Sequence, residues 1–384
     1  MRIGIDISQT GKTKAGCGYV AYSLVNALAQ MDSQNEYILY PTFGDVYLDP
    51  DWKISTLRVD RPNFQPGIGH RNLEGAQPFW RNPPPDFEAQ LGHPDVVMAN
   101  NFYCPTGLKK SRLVYLLHDL SYLTNPDWTT EANRTACFSG AFNASIYADF
   151  IITPSQYTLD QLHQIYPHFP LERAIFIPLA SRFEGLAEPE PTPAVAPLKP
   201  GQFWLNVGTL EPRKNQVRLL RAYAELKSRH ADALPLVLAG GKGWLLDHFE
   251  GLVQELGLGQ SVRLMGYVDD ASLQWLYHNC YAFLEPSLLE GFGLPVLEAM
   301  SQGAAVITSN VTSLPEVIGS AGIQVDPYSE SDILNAMERL AGDQTLRLDL
   351  KTRAAERARQ FSWEGFARRT LEVFEKALAA SKRL

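Results

Sequence analysis

Residues Tyr281–Gly303 read YAFLEPSLLEGFGLPVLEAMSQG, and three signals follow one another along them. The apolar run YAFLEP has the make-up of a buried strand, SLLEGFG interrupts it with glycines, and LPVLEAM opens a helix. Pro295 suits the first helical turn, where a missing N–H costs nothing. The open backbone N–H groups of that turn, with Gly293 allowing close approach, form an anion seat. Glu290 stands just before the seat, and Glu298 lies one turn into the helix. Acids beside an anion site are wrong for a bare phosphate. They fit a sugar–diphosphate–ribose ligand, whose hydroxyls donate to carboxylates while N–H groups hold the phosphates. Singly, each acid has a plainer reading, Glu298 paired within its helix and Glu290 solvated in a loop; the whole string points to a site.

Outward from this segment, strand and helix patterns alternate, as in parallel α/β architecture. Expected strands in the second half begin at Phe203, Pro235, Ser261, Tyr281, Ala304 and Gly322; in the first half they begin at Arg2, Asp95, Arg112, Asp149 and Ala174. The stretch from Arg61 to Pro94, rich in Pro, Asn, Gly and aromatics, is expected to be a long irregular loop. GLAEPEPTPAVAPLKPG, Gly185–Gly201, is too rich in proline for a helix or central strand and reads as an inter-domain linker. The expected division is therefore 1–184, a linker over 185–201, and 202–362. A C-terminal helix over about 363–384, with Phe366, Leu371, Phe374 and Leu378 on one face, must dock on a domain, the first being the candidate. Two such domains would leave a cleft between them, with ligands at the carboxyl ends of strands.

Other constellations lie at strand ends. In VGTLEPRKN, Val207–Asn215, the strand ends at Gly208, and Arg213 and Lys214 sit where the next helix starts. Cations are unfavourable at a helix N-terminus, so their placement wants a reason, and a leaving diphosphate is one. Gly16-Cys17-Gly18-Tyr19 follows the first strand; alone it is a weak signal, since any tight turn uses such glycines. His118 and Asp119 end the strand RLVYLLH and its continuation. Ser155 reads as a helix cap, as do Thr312 and Ser313 in SNVTSLPEV, and GGKGW, Gly240–Trp244, as a turn or a nucleoside border.

EPSLLEGFGLPVLEAMSQG resembles the donor signature of family 4 retaining glycosyltransferases of GT-B fold, its two acids being Glu290 and Glu298. The resemblance implies two Rossmann-like α/β domains facing each other across a cleft, the second binding the donor. It implies that Glu290 contacts sugar hydroxyls, that Glu298 holds the ribose, and that backbone N–H groups of Gly291, Phe292, Gly293 and Leu294 serve sugar and diphosphate. Arg213, Lys214 and Gly208 match a second motif, Gly16 and Gly18 the glycine loop near the diphosphate, and His118 a histidine touching the transferred sugar. Tyr19, Asp119 and Trp80 are assigned to the acceptor side, where Phe64, His70, Phe79 and Arg81 of the long loop are also expected. TLEPRKN and LLHDLSY look most like mannosyltransferases, so GDP-mannose is the expected donor substrate, with no metal and no further cofactor. Expected reaction partners are this donor and a glycan or lipid-linked acceptor.

Bulk properties agree with a globular enzyme. The 384 residues are 45% hydrophobic and 20% charged, and a net charge of -8 disfavours nucleic-acid binding. The four cysteines are isolated, the N-terminus lacks a signal-peptide layout, and no apolar run reaches the roughly 20 residues that cross a bilayer. A cytoplasmic location is expected, and attachment at the inner face of a membrane is compatible with it. A dehydrogenase is the first rival but lacks a three-glycine fingerprint; a non-catalytic nucleotide-sugar-binding or scaffold subunit is the second, with a phosphorylase or sugar-nucleotide epimerase behind.

Overall fold

The computed structural model describes residues 1–11, 14, 16–44, 55, 57–69, 73–100, 102–246 and 248–383. Its contacts divide into two units. Met1–Pro126, Thr130–Leu179 and Ser362–Leu384 form the first; Asp127–Thr129 and Ala180–Phe361 form the second.

Each unit is built on one parallel sheet. The first contains β1 (Arg2–Asp6), β2 (Glu36–Tyr40), β3 (Phe64–Pro66), β4 (Val96–Asn100), β5 (Arg112–Leu116), β6 (Phe150–Thr153) and β7 (Ala174–Phe176), in the order β3-β2-β1-β4-β5-β6-β7. The second contains β8 (Trp204–Val207), β9 (Leu236–Ala239), β10 (Val262–Gly266), β11 (Ala282–Glu285), β12 (Val306–Ser309) and β13 (Ile323–Val325), in the order β10-β9-β8-β11-β12-β13. Parallel pairing needs crossover helices, which cover both faces, so the strands are apolar throughout rather than alternating. Ile3, Ile5, Val96, Val97, Leu113 and Val114 are accordingly no more than 2% exposed. Strand order reverses between β1 and β4 in one sheet and between β8 and β11 in the other. Open α/β sheets bind ligands beyond the carboxyl ends of strands at such reversals.

The six strands expected in the second half are all present. In the first half β2, from the short run EYILY, adds to those expected. The stretch from Arg61 to Pro94 is more regular than its composition implies. It supplies edge strand β3, a Leu73–Arg81 helix that tolerates Pro78, and the short Phe87–Gln90 helix. Trp80 is corrected with it. Rather than facing an acceptor, Trp80 is 1% exposed and packs its ring against Phe43, Phe79, Phe87 and Tyr103 at centroid distances of 4.6–5.7 Å. A large aromatic on an amphipathic helix gains most by entering the core. Phe64 is buried as well, and His70 lies outside the described residues.

The proline-rich stretch 185–201 forms neither helix nor strand and packs on the second unit. Gln274 Nε2 donates to the Ala187 carbonyl at 2.9 Å, Gly201 N–H donates to the Asn279 carbonyl at 2.7 Å, and Val195 is fully buried. The passage between units comes earlier, after Leu179. The chain re-enters the first unit at Ser362, whose hydroxyl accepts from Gly365 N–H and caps the Trp363–Ala379 helix. That helix buries Phe366, Val373, Phe374 and Ala377 and lies against the Gly16–Met31 helix and β5, while Leu378 stays 37% exposed. Among the described residues no helix is long and apolar enough to cross a membrane.

Because Trp80 is a core residue, Trp80→Ala is expected to cost about 3–5 kcal/mol of unfolding free energy. Urea denaturation measures this, and a loss below about 1 kcal/mol would return Trp80 to the surface.

Candidate active site

At the β8/β11 reversal, two loops bring the sequence-identified acids and cations together. After β8 the chain makes a short 3-10 turn, Pro212–Lys214, and enters the Gln216–Arg229 helix through Asn215 in the left-handed region, φ 60°. Asparagine tolerates that conformation better than most side chains. Its Nδ2 also donates to the Pro286 and Pro327 carbonyls at 2.9 and 2.7 Å, tying the turn to the loop after β11. Leu288 N–H donates to the Arg213 carbonyl at 2.8 Å, a second tie between the same loops.

These ties place two cations among three carboxylates. Lys214 Nζ lies 3.1 Å from Glu285 Oε1 and 2.9 Å from Glu290 Oε1. Arg213 Nη1 lies 2.9 Å from Glu290 Oε2, and its Nη2 lies 2.7 Å from Glu211 Oε1. Arg213 Nη1 also donates to the Leu289 carbonyl at 2.9 Å. Glu285 is fully buried, and Lys214, Glu290 and Glu211 are 6%, 6% and 4% exposed. Burial by itself raises the Glu290 carboxyl, but Arg213 and Lys214 outweigh it and hold the group down at about 2. For Lys214, burial is outweighed by Glu285 and Glu290, and the ammonium is held above its usual range. Glu285 goes the other way: burial pushes it up more than Lys214 pulls it down, and Glu290 adds to the rise. Glu290 is further fixed through its backbone. Its N–H donates to Thr312 Oγ1 at 3.2 Å, and its carbonyl accepts from Ser313 Oγ at 2.8 Å. Ser313 therefore holds the Glu290 loop and does not cap the helix behind it through its side chain.

Gly293 caps the Leu294–Ser301 helix at φ 104°, where an added Cβ would come within 2.6 Å of Leu314 Cδ2. Only glycine meets both demands without strain. Gly291, Phe292 and Gly293 are buried with Glu290, while Leu294 and Pro295 are partly exposed at the helix start. Glu298, one turn on, is 3% exposed and already paired. Arg182 Nε and Nη2 reach its two oxygens at 2.8 and 3.3 Å, and Tyr277 Oη donates to Oε2 at 3.1 Å. Arg182 Nη1 also holds Asp270 at 2.9 Å.

The first unit repeats this use of a reversal, at β1 and β4. Gly16 and Gly18 open the helix after β1, and Tyr19 is partly buried in it. A Cβ on Gly18 would meet the Gln9 carbonyl at 2.1 Å, whereas Gly16 faces open space. Asp6, at the end of β1, is driven by burial up to about 7, although hydrogen bonds from Ser8 pull it down. His118, beyond β5, meets Asn100 Oδ1 at 2.6 Å, and burial, only partly countered by Asp119, pushes it down to about 4. Asp119 itself accepts from the N–H and Oγ of Ser121 at 2.9 and 2.7 Å, a local turn that accounts for its position.

Glu285, Glu211, Arg182, Asn100 and Asp6 were not singled out by sequence reasoning. An acid ending an otherwise apolar strand, as in YAFLE and RIGID, is the signal that marks Glu285 and Asp6. Arg182 carries no such mark, because its partners are remote in sequence.

Residues 194–360 match the family described as Glycosyl transferases group 1. Over 281 residues, 72% of this chain and 72% of the relative, the sequence is 34% identical to O-antigen chain mannosyltransferase B of Escherichia coli. It is 38% identical over 185 residues to the serotype-specific mannosyltransferase WbdA of Escherichia coli, covering 48% of this chain and 23% of that protein. Among solved structures, sucrose-phosphate synthase of Thermosynechococcus elongatus aligns over 99% of this chain and 100% of its own, with TM-score 0.73 at 22% identity. Anabaena Alr3699/HepE in complex with UDP-glucose aligns over 98% and 100%, with TM-score 0.73 at 18% identity. Structural likeness at these identities shows the fold, which is the GT-B architecture the donor signature implied. By its sequence relatives, the chain belongs to the group 1 glycosyl transferases, a glycosyltransferase with mannosyltransferases among its homologues.

Proposed function

We propose that this glycosyltransferase moves mannose from GDP-mannose to a hydroxyl of a growing glycan or lipid-linked glycan, with retention at the anomeric carbon and without a metal. The work is assigned to the cytoplasm, a location with which attachment at the inner face of a membrane is compatible. The Escherichia coli relatives named mannosyltransferases support the choice of sugar and of a polysaccharide acceptor.

The observation that carries the reading is the pairing of Glu290 with both Arg213 and Lys214. Glu290 is held ionised and is therefore a ready acceptor for sugar hydroxyls. The two cations beside it are suited to the charge that grows on the leaving phosphate. Glu298 is assigned to the ribose hydroxyls, with Arg182 and Tyr277 orienting its carboxylate. The backbone N–H groups from Gly291 to Leu294 are assigned to sugar and diphosphate, with Gly208, Gly16 and Gly18 allowing close approach. His118 is assigned to the transferred sugar, and Tyr19 and Asp119 to the acceptor.

Retention by double displacement needs a carboxylate nucleophile beneath the anomeric carbon. Glu290 is a poor one, since both its oxygens are drawn to cations. A front-face reaction fits better. The bond from the anomeric carbon to the diphosphate oxygen breaks, the acceptor oxygen attacks from the same side, and its proton passes to the departing phosphate oxygen. Protein catalysis is then positioning and charge stabilisation.

Glu290→Ala and Lys214→Ala are each expected to lower turnover by at least about 100-fold; near wild-type rates in either would sink the assignment. Turnover should persist in excess chelator, and a strict divalent-metal requirement would point to a different mechanism. In a thermal-shift panel of nucleotide sugars, GDP-mannose should raise the melting temperature most, by an amount that at 100 times Kd corresponds to about 2.7 kcal/mol.

Glu290 also predicts a pH dependence. Its folded pKa lies below the ordinary value of 4.5, so its stabilisation is complete above that pH and is lost as pH falls towards about 2. The stability gap between wild type and Glu290→Gln should therefore be constant near neutrality and shrink across that acid window. A gap independent of pH in chemical denaturation would contradict the ion-pair assignment.

A further inference from the structure

The side-chain amide of Asn100, at the end of β4, lies between two partners in the first unit. Its Nδ2 donates to the Cys17 carbonyl at 3.3 Å, and its Oδ1 lies 2.6 Å from His118 Nε2. A carbonyl oxygen only accepts, so the amide must turn its NH2 towards Cys17. That leaves Oδ1 for the histidine. Oδ1 cannot donate, so the hydrogen in the 2.6 Å contact belongs to His118 Nε2.

Turned over, the amide would set its oxygen against the Cys17 carbonyl, two acceptors with no hydrogen between them. Asn100 is 4% exposed, its backbone pairs with Leu116 of β5, and Gln9 Nε2 donates to its carbonyl at 3.3 Å. The histidine is held from its own backbone too, since Thr158 Oγ1 donates to the His118 carbonyl at 3.5 Å. Burial keeps the ring neutral near neutral pH, despite the neighbouring Asp119. A neutral imidazole has one N–H, and with that hydrogen on Nε2 the lone pair is on Nδ1.

We infer that Asn100 is a positioning residue that fixes His118 in the Nε2–H tautomer, so that Nδ1 accepts a hydrogen bond from a sugar hydroxyl during transfer. His118 then acts as a neutral acceptor and neither gives nor takes a proton in the reaction. The second half of this inference rests on the assignment of His118 to the transferred sugar; the first half does not. The pairing also accounts for a polar residue buried at the end of β4. Without Asn100, Nε2–H would lose its acceptor, and either tautomer would be open to the ring.

Two-bond proton–nitrogen NMR correlation on the full chain with labelled histidine separates the three ring states. The chain has eight histidines, and the signal lost in His118→Ala identifies the one in question. The expected pattern near neutral pH is Nε2–H for His118 in the wild type. An Nδ1–H or imidazolium pattern would overturn the role of Asn100, whatever the turnover. Asn100→Ala should mix the tautomers and lower kcat/KM by about tenfold or more, as expected for loss of one aligned hydrogen bond. Asn100→Asp keeps the shape and the acceptor but adds a negative charge, so it should retain hydrogen on Nε2 while raising the His118 pKa and introducing a new ionisation into the pH–rate profile. An unchanged profile in a folded Asn100→Asp variant would count against the contact. Full turnover in His118→Ala would overturn the sugar contact while leaving the tautomer assignment standing.

Discussion

A lysine ammonium that is only 6% exposed must be paired, because burying a lone charge costs several kcal/mol. In the second unit that requirement organises the loops at the β8/β11 reversal. Lys214 is brought in from the turn after β8, and its partners Glu285 and Glu290 from the end of β11 and the loop that follows. Arg213, Glu211 and the Leu289 carbonyl extend the same set. Removing one member would leave another buried and unpaired, so the cluster is held as a unit. Two of its carboxylates are shifted in opposite directions: Glu290 is pulled down by two cations, while burial pushes Glu285 up beside one.

Such a cluster needs rigid backbone beneath it, which the neighbouring turns supply. Asn215 in the left-handed region reaches two carbonyls of other segments, and Gly293 takes a backbone angle and a clearance that no side chain permits. Thr312 and Ser313 hold both backbone groups of Glu290. The Glu290 carboxylate is thus positioned by contacts on either side of its own residue, and the helix that follows begins at a fixed place.

The first unit handles its polar groups differently. Asp6 and Asn100 are buried at strand ends and His118 is partly buried just beyond one; among the described residues their hydrogen bonds are to neutral groups, and desolvation shifts both titratable members towards neutrality. A buried charge in this unit lies at the opposite end of the strands. There the buried Asp149 accepts from the Leu113 and Arg383 N–H groups, with Lys382 and Arg112 nearby. That grouping fastens the tail of the C-terminal helix to the sheet, and Lys382 adds a hydrogen bond to the Ser111 carbonyl.

Strand composition and the GFGLP helix start were legible in the sequence, because parallel strands buried on both faces must be apolar and a glycine–proline helix entry is a local event. The same locality exposed Glu290, Glu298, Arg213 and Lys214 as unusual acids and cations at element ends. Trp80 and the stretch around it misled, since an aromatic residue reads alike whether it lies in a core or on a surface, and only packing against Phe43, Phe87 and Tyr103 distinguishes the two. Partnership was likewise decided by tertiary structure alone. That Arg182 engages Glu298, that Glu285 shares Lys214, and that Asn100 faces His118 depends on residues 116, 71 and 18 positions apart meeting in space. Sequence by itself determined which chemical groups stand at the ends of which elements. Strand order then determined which of them meet, because the reversal in each sheet makes neighbours of strands that are distant along the chain.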